Sequence, residues 1–141
     1  MRLKVIEHRT THAFREALET VIGAIAKAGM TVFAEIDHAK AARDSGLSMP
    51  ETRVIVYGNP KAGTPIMLGT PLTALDLPLR ILVRELPGHS SAIAVHPLAE
   101  MFEELGVKRE VAARFDAVQQ AIVDEVCGSC PTRTSDNGQI A

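Results

Sequence analysis

Leu79-Arg-Ile-Leu-Val-Arg-Glu-Leu-Pro-Gly-His-Ser-Ser-Ala-Ile-Ala-Val-His96 is the stretch that decides the architecture. Leu79 to Glu85 and Ser91 to His96 are short runs of aliphatic and β-branched residues, the composition of strands. Between them, Leu86-Pro87-Gly88-His89-Ser90 carries turn chemistry: proline presets φ and glycine supplies the left-handed conformation. Strands joined by so short a connection run antiparallel.

Outward from this hairpin, Leu3 to His8, Thr31 to Asp37 and Arg53 to Tyr57 are further strand signals, each bounded by Gly, Pro or Ser. Helical periodicity is clearest from His12 to Ala28, where Phe14, Ala17, Leu18, Val21, Ile22 and Ile25 recur every three or four residues; Thr11 is placed to cap the start and Gly29 the end. Val111, Phe115, Val118, Ile122 and Val126 keep the same spacing from Lys108 to Glu125. A shorter helix begins at Pro97 and carries Leu98, Met101, Phe102 and Leu105 up to Gly106. The order is strand, long helix, several strands with small helical insertions, then helices. It predicts an α+β fold, a mostly antiparallel sheet with helices packed on one face, and does not suit a repeating βαβ sheet.

The chain has 141 residues, with 15 Lys and Arg against 17 Asp and Glu, 46% hydrophobic and 23% charged residues. That composition excludes collagen-like, disordered and membrane-spanning classes. The near balance of charge argues against a general nucleic-acid binder, which needs a basic excess to displace counterions from phosphates. No apolar stretch has the length of a signal peptide or membrane span, so a cytoplasmic location is expected. A single domain is expected over residues 1–126. Residues 127–141, of turn-forming composition, are expected to be a flexible tail.

Glu35-Ile36-Asp37-His38 is the first candidate site. Period two puts Phe33, Glu35 and Asp37 on one face and Val32, Ala34, Ile36 and His38 on the other. Two adjacent carboxylates repel, which can raise one pKa into the range of proton transfer. The competing reading has Asp37 and His38 capping a short helix that starts near Ala39. The second candidate is Gly58-Asn-Pro-Lys-Ala-Gly-Thr-Pro65, whose glycines, Lys61 and the Thr64-Pro65 pair can form a backbone nest for an anion; the alternative is a tight loop shaped by Gly and Pro. It lacks the Lys-Ser/Thr pair of a phosphate loop after the second glycine.

His8, His12, His38, His89 and His96 have no metal-pair spacing, and neither a metal nor another cofactor is expected. Cys127-Gly-Ser-Cys130 lies at a helix end, where the dipole does not lower a thiol pKa, and reads as incidental. Arg80 and Arg84 share a strand face with Leu82 between them, too few cations for a phosphate footprint.

Val32 to His38, Ala41 to Gly46 with Pro50, Val54-Ile-Val-Tyr-Gly-Asn-Pro-Lys-Ala-Gly-Thr-Pro-Ile-Met67, and Leu75-Asp-Leu-Pro-Leu-Arg-Ile-Leu-Val-Arg-Glu85 together resemble the family called domain of unknown function 302, over roughly positions 10 to 100 in order. The resemblance implies a TATA-binding-protein-like α+β fold, often assembled as a homodimer, and no established activity. Many relatives carry Cys before Asn-Pro and a Leu-Pro-Cys-Asn element. Here Gly58 precedes Asn59-Pro60 and the later element reads Leu77-Pro78-Leu79-Arg80, so the chain resembles the cysteine-free branch, without thiol or soft-metal chemistry at those positions. Asp37, Asn59, Pro60 and Pro78 remain common to the family and are expected to border one pocket.

Two functions follow. In the first, a small homodimeric binding module takes a small polar or anionic ligand in a strand-end pocket bordered by Asp37, His38, Asn59, Lys61 and Thr64, with Met67 as an apolar wall. In the second, a small hydrolase- or isomerase-type enzyme uses His38 as proton carrier with Asp37 or Glu35 orienting it. The first is preferred because no nucleophile is visibly paired with a base.

Overall fold

The computed structural model describes residues 4–128 and the backbone of 132–136. The elements run β1 (Lys4–Thr10), α1 (Phe14–Lys27), β2 (Thr31–Asp37), α2 (His38–Asp44), β3 (Thr52–Gly58), α3 (Pro60–Gly69), a 3-10 turn (Pro71–Leu75), β4 (Leu79–Leu86), β5 (Ser90–Val95), α4 (Leu98–Glu104), α5 (Arg109–Cys127) and β6 (Thr132–Asp136). The six strands form one sheet in the order β2-β3-β4-β5-β1-β6, with every neighbouring pair antiparallel. The β4–β5 hairpin is as expected, and its tight connection places Gly88 and His89 both at positive φ.

Alternation in the strands makes the two faces different. Ile55 and Tyr57 of β3, Ile81 and Val83 of β4, and Ile93 and Val95 of β5 point to one face, where they meet the buried stripe of α1 (Phe14, Ala17, Leu18, Val21, Ile25) and, from α4 and α5, Phe102, Ile122 and Val126. This is the α+β layer expected from the order of elements. α1 starts at Phe14, after an Ala13 N-cap that makes no side-chain bond, rather than under a Thr11 cap.

On the opposite face, register places Ile36, Val54, Leu82, Ala94 and Glu7 in one row across five strands. The small residues of β5 matter here. Arg84 on β4 reaches over Ala92 and Ala94 to Glu7 on β1, with Nε 3.0 Å from Oε2 and Nη2 3.2 Å from Oε1. Glu7 is 2% exposed and Ala92 fully buried, so this fork forms a polar roof over the alanines. Arg84 thus pairs with β1, two strands away.

Two segments depart from expectation. The Gly58–Pro65 segment is not a loop: after Gly58 closes β3, Asn59 caps α3 by accepting the Lys61 amide at 3.0 Å, and Pro60 occupies the first turn, where its missing N–H costs nothing. Within the segment expected to be a tail, Cys127 is the buried last residue of α5 and Thr132–Asp136 pairs with Lys4–His8 as the edge strand β6; residues 129–131 and 137–141 lie outside the described residues. Thr-Arg-Thr-Ser-Asp has turn-forming composition, but threonine suits an edge strand and β1 offers it a free ladder.

Candidate functional site

The first candidate cluster is a charge-neutralised corner. A β-bulge at Phe33 breaks the period of two, so Val32, Glu35 and Asp37 share a face with Tyr57, Ile55 and Arg53, while Phe33 has no partner in the β2–β3 register and lines the groove at the other end of the ladder. Arg53 holds both carboxylates, with Nη1 3.2 Å from Glu35 and Nη2 2.8 Å from Asp37. Asp37 also caps α2 by accepting the Lys40 amide at 2.9 Å. That amide, with Arg53 and Arg43 beside it, holds the Asp37 carboxyl below its ordinary value, the opposite of what proton transfer needs. His38 is the exposed first residue of α2. The capping reading describes Asp37, whereas His38 is part of the helix itself and Glu35 is held by Arg53.

The expected single pocket is split by the register. Asp37 pairs with Arg53 at one end of the β2–β3 ladder and Thr31 with Gly58 at the other, so Asp37 and His38 lie about 17 Å along the strands from Asn59, Lys61 and Thr64. Sequence proximity of two motifs around one hairpin said nothing about which end each would occupy.

At the Asn59 end is a groove of about 930 Å³ between α3, the end of α1 and the first half of α5. Asn59, Pro60, Lys61, Thr64, Met67 and Pro78 line it, joined by residues the sequence reading had not placed there: Lys108, Arg114, Val111, Phe115 and Val118. The apolar stripe of α5 explains the groove. Ile122, Val123 and Val126 in its second half are buried, whereas Val111, Phe115 and Val118 in its first half are only half-buried, because α3 stands off from them. Periodicity identifies the stripe but cannot tell a core half from a groove half. A signal for the cations did exist: Lys108, Val111, Arg114 and Val118 are spaced at three and four residues, one side of a helix.

The groove lining contains three cations, Lys61, Lys108 and Arg114, and no Asp or Glu, in a chain whose acids outnumber its bases. None of the three makes an ion pair among the described residues. The nest expected from Gly58–Pro65 is not available to an anion, since the Lys61 amide bonds Asn59 Oδ1 and the Ala62 and Gly63 amides bond the Asn59 carbonyl at 3.0 and 2.8 Å. Anion recognition here belongs to side chains.

Elsewhere, the His8 imidazole is buried between sheet and α5, and burial lowers its pKa, with Asp124 partly opposing. The Tyr57 hydroxyl is buried without a hydrogen-bond partner among the described residues, and burial pushes its phenol pKa up. No three His, Cys, Asp or Glu side chains gather in a metal-sized group among the described residues. Cys130, half of the Cys-x-x-Cys, lies outside them.

Comparison with known proteins gives the geometry its context. Over 83 residues the chain is 39% identical to the fluoride-specific ion channel FluC 1 of Brucella suis biovar 1 (strain 1330), covering 59% of this chain and 32% of that protein. A Brucella abortus biovar 1 (strain 9-941) protein of the same name matches at 39% over 83 residues and 30% of its length. The chain therefore spans about a third of these curated relatives. The crystal structure of an uncharacterized conserved DUF302 protein from Bacillus stearothermophilus superposes with a TM-score of 0.77 at 15% identity, covering 86% of this chain and 97% of that one, which shows that the two share this α+β fold. Residues 6–124 match the model of one family, and on that match the chain belongs to the family described as domain of unknown function DUF302.

Proposed function

We propose that the chain is a binding module that takes a small anionic ligand in the α3–α5 groove and assembles as a homodimer. The observation that carries the ligand reading is the charge of the groove: Lys61, Lys108 and Arg114 line it beside apolar walls, with no carboxylate among the lining residues. Three unpaired cations around one concavity repel one another, and an anion relieves that repulsion while gaining charge-assisted hydrogen bonds. The Asp37–Arg53 corner supports no catalytic alternative, because its carboxylates already serve a cap and a cross-strand pair. The channel name of the Brucella relatives belongs to chains of which this one covers about a third; no helix among the described residues is long and apolar enough to cross a membrane.

Homodimerisation is supported by where apolar surface remains. Among the described residues the large exposed apolar side chains, Phe33, Ile36, Leu47, Met49, Leu68, Leu72 and Leu75, all fall between β2 and the 3-10 turn. β2 is also an edge strand, with an unpaired ladder beside Phe33 and Ile36.

Native mass spectrometry of freshly purified protein beside a Lys61→Ala/Lys108→Ala variant tests both halves. A dimer carrying a discrete extra mass that the variant loses is expected. A monomer at micromolar concentration refutes the assembly. An adduct retained equally by the variant, or none in either protein, refutes the ligand reading.

A further inference from the structure

Resting on the reading of the groove as an anion site, we infer that its ligand is a single-chain amphiphile: an unbranched acyl tail of medium length lying along α5, ending in a carboxylate held by Lys61 from one side and by Lys108 and Arg114 from the other. Size is the first reason. About 930 Å³ is near the upper end of small-molecule sites and far more than acetate or phosphate fills.

The walls are the second reason. Met30, Leu77, Leu79, Val111, Phe115 and Val118 line the groove, and all of these but Leu79 keep part of their apolar surface exposed to it. That residual surface gains nothing from a small hydrated anion and is covered by a methylene chain. The helical stretch Arg109–Val118, with Val107 just before it, gives the groove an elongated wall of about 16 Å at 1.5 Å per residue, the shape of an extended tail rather than a compact ring system.

The third reason concerns the head. Because the first-turn amides of α3 are satisfied by Asn59, the backbone cradle that suits a phosphate is occupied, and charge recognition falls to ammonium and guanidinium groups. Arg114 and Lys108 stand on α5 to either side of the Val111 turn, so a carboxylate at the mouth meets donors from both walls while its tail continues past Phe115 and Val118. α3 can accommodate the tail without breaking a core: among its residues only Gly63 is buried, and Leu68 faces outward at 79% exposure.

Isothermal titration calorimetry with acetate, inorganic phosphate, octanoate, dodecanoate and dodecanol, each below its aggregation concentration, tests the inference. Affinity is expected to tighten from octanoate to dodecanoate by up to about fourfold for each buried methylene. Lys61→Glu/Lys108→Glu is expected to weaken dodecanoate by roughly ten- to a hundredfold. Dodecanol binding is expected to survive in that variant, which also shows that it is folded. Phosphate or acetate binding as tightly as dodecanoate, and lost in the variant, overturns the amphiphile while leaving the anion site standing. Failure of every probe overturns both. As a second variant, Val118→Trp fills the far end of the groove: it should flatten the gain from octanoate to dodecanoate, and an undiminished gain overturns the placement of the tail. If a second copy covers the groove, dilution will be needed before dodecanoate binds, and that result also overturns a free amphiphile as its occupant.

Discussion

Removing the Arg84 guanidinium by Arg84→Met leaves the Glu7 carboxylate, 2% exposed, over Ala92 and Ala94 with its two-pronged partner gone. Breaking a fully buried pair costs about 3–5 kcal/mol, and the quarter exposure of the Arg84 side chain lets water into the vacated position, so a loss of about 2–3 kcal/mol is expected at pH 7. At the few degrees per kcal/mol typical of a chain this size, Tm falls by roughly 6–12 °C. Glu7→Leu costs less, about 1–2 kcal/mol, because Arg84 can turn its head to solvent while its stem still covers the alanines. The double variant Glu7→Leu/Arg84→Met replaces the ionic roof by an apolar one and is expected within about 1 kcal/mol of the parent. Urea denaturation of all four proteins, analysed as a double-mutant cycle at constant m, reads the coupling between the two residues. Additive single effects, or an Arg84→Met loss below about 0.5 kcal/mol, would refute the argument that the fork roofs β5.

Tyr57→Phe removes a buried hydroxyl that has no partner among the described residues and is expected to stabilise by about 1 kcal/mol in urea denaturation; a loss of the same size would mean that the hydroxyl is satisfied. The His8 pKa is lowered, so between its folded value and 6.5 the unfolded chain binds more protons than the native one. Stability should therefore fall as pH drops below 6.5, and an NMR titration placing the His8 imidazole above 6.5 would contradict this. Asp37 has the depressed carboxyl, whose contribution is complete above the unfolded value and lost as pH falls through the folded one. Asp37→Asn should accordingly flatten the acid limb of the stability curve below about pH 4 without changing ligand binding in the groove; weakened binding would tie the two ends of the hairpin together functionally.

What could be read in advance followed from periodicity. The stripe Phe14, Leu18, Val21, Ile25 and the Pro87-Gly88 turn gave α1 and the β4–β5 hairpin, because both patterns are local consequences of helix and turn geometry. The bulge at Phe33 was hidden, since an extra residue in one strand shows only against its partner. α3 was hidden by Gly63 and Pro65, both poor in helix interiors; Asn59 and Pro60 are a favourable helix start but equally suit a loop. Of the residues expected to border one pocket, Asn59, Lys61 and Thr64 line the groove, while Asp37 and His38 lie at the other end of the ladder. The spacing of Lys108 and Arg114 marks one side of α5, but that this side lines the same groove as Lys61 depends on where α5 and α3 stand in the fold, which no local pattern records.

The claim that the α3–α5 groove is the binding site is tested most directly by mapping amide shifts of 15N-labelled protein as octanoate is added. The account predicts shifts concentrated at Asn59–Thr64 and Val107–Val118, with Glu35–His38 and Arg53 unmoved. Shifts centred on Glu35–His38 and Arg53, or none at saturating octanoate, would contradict it.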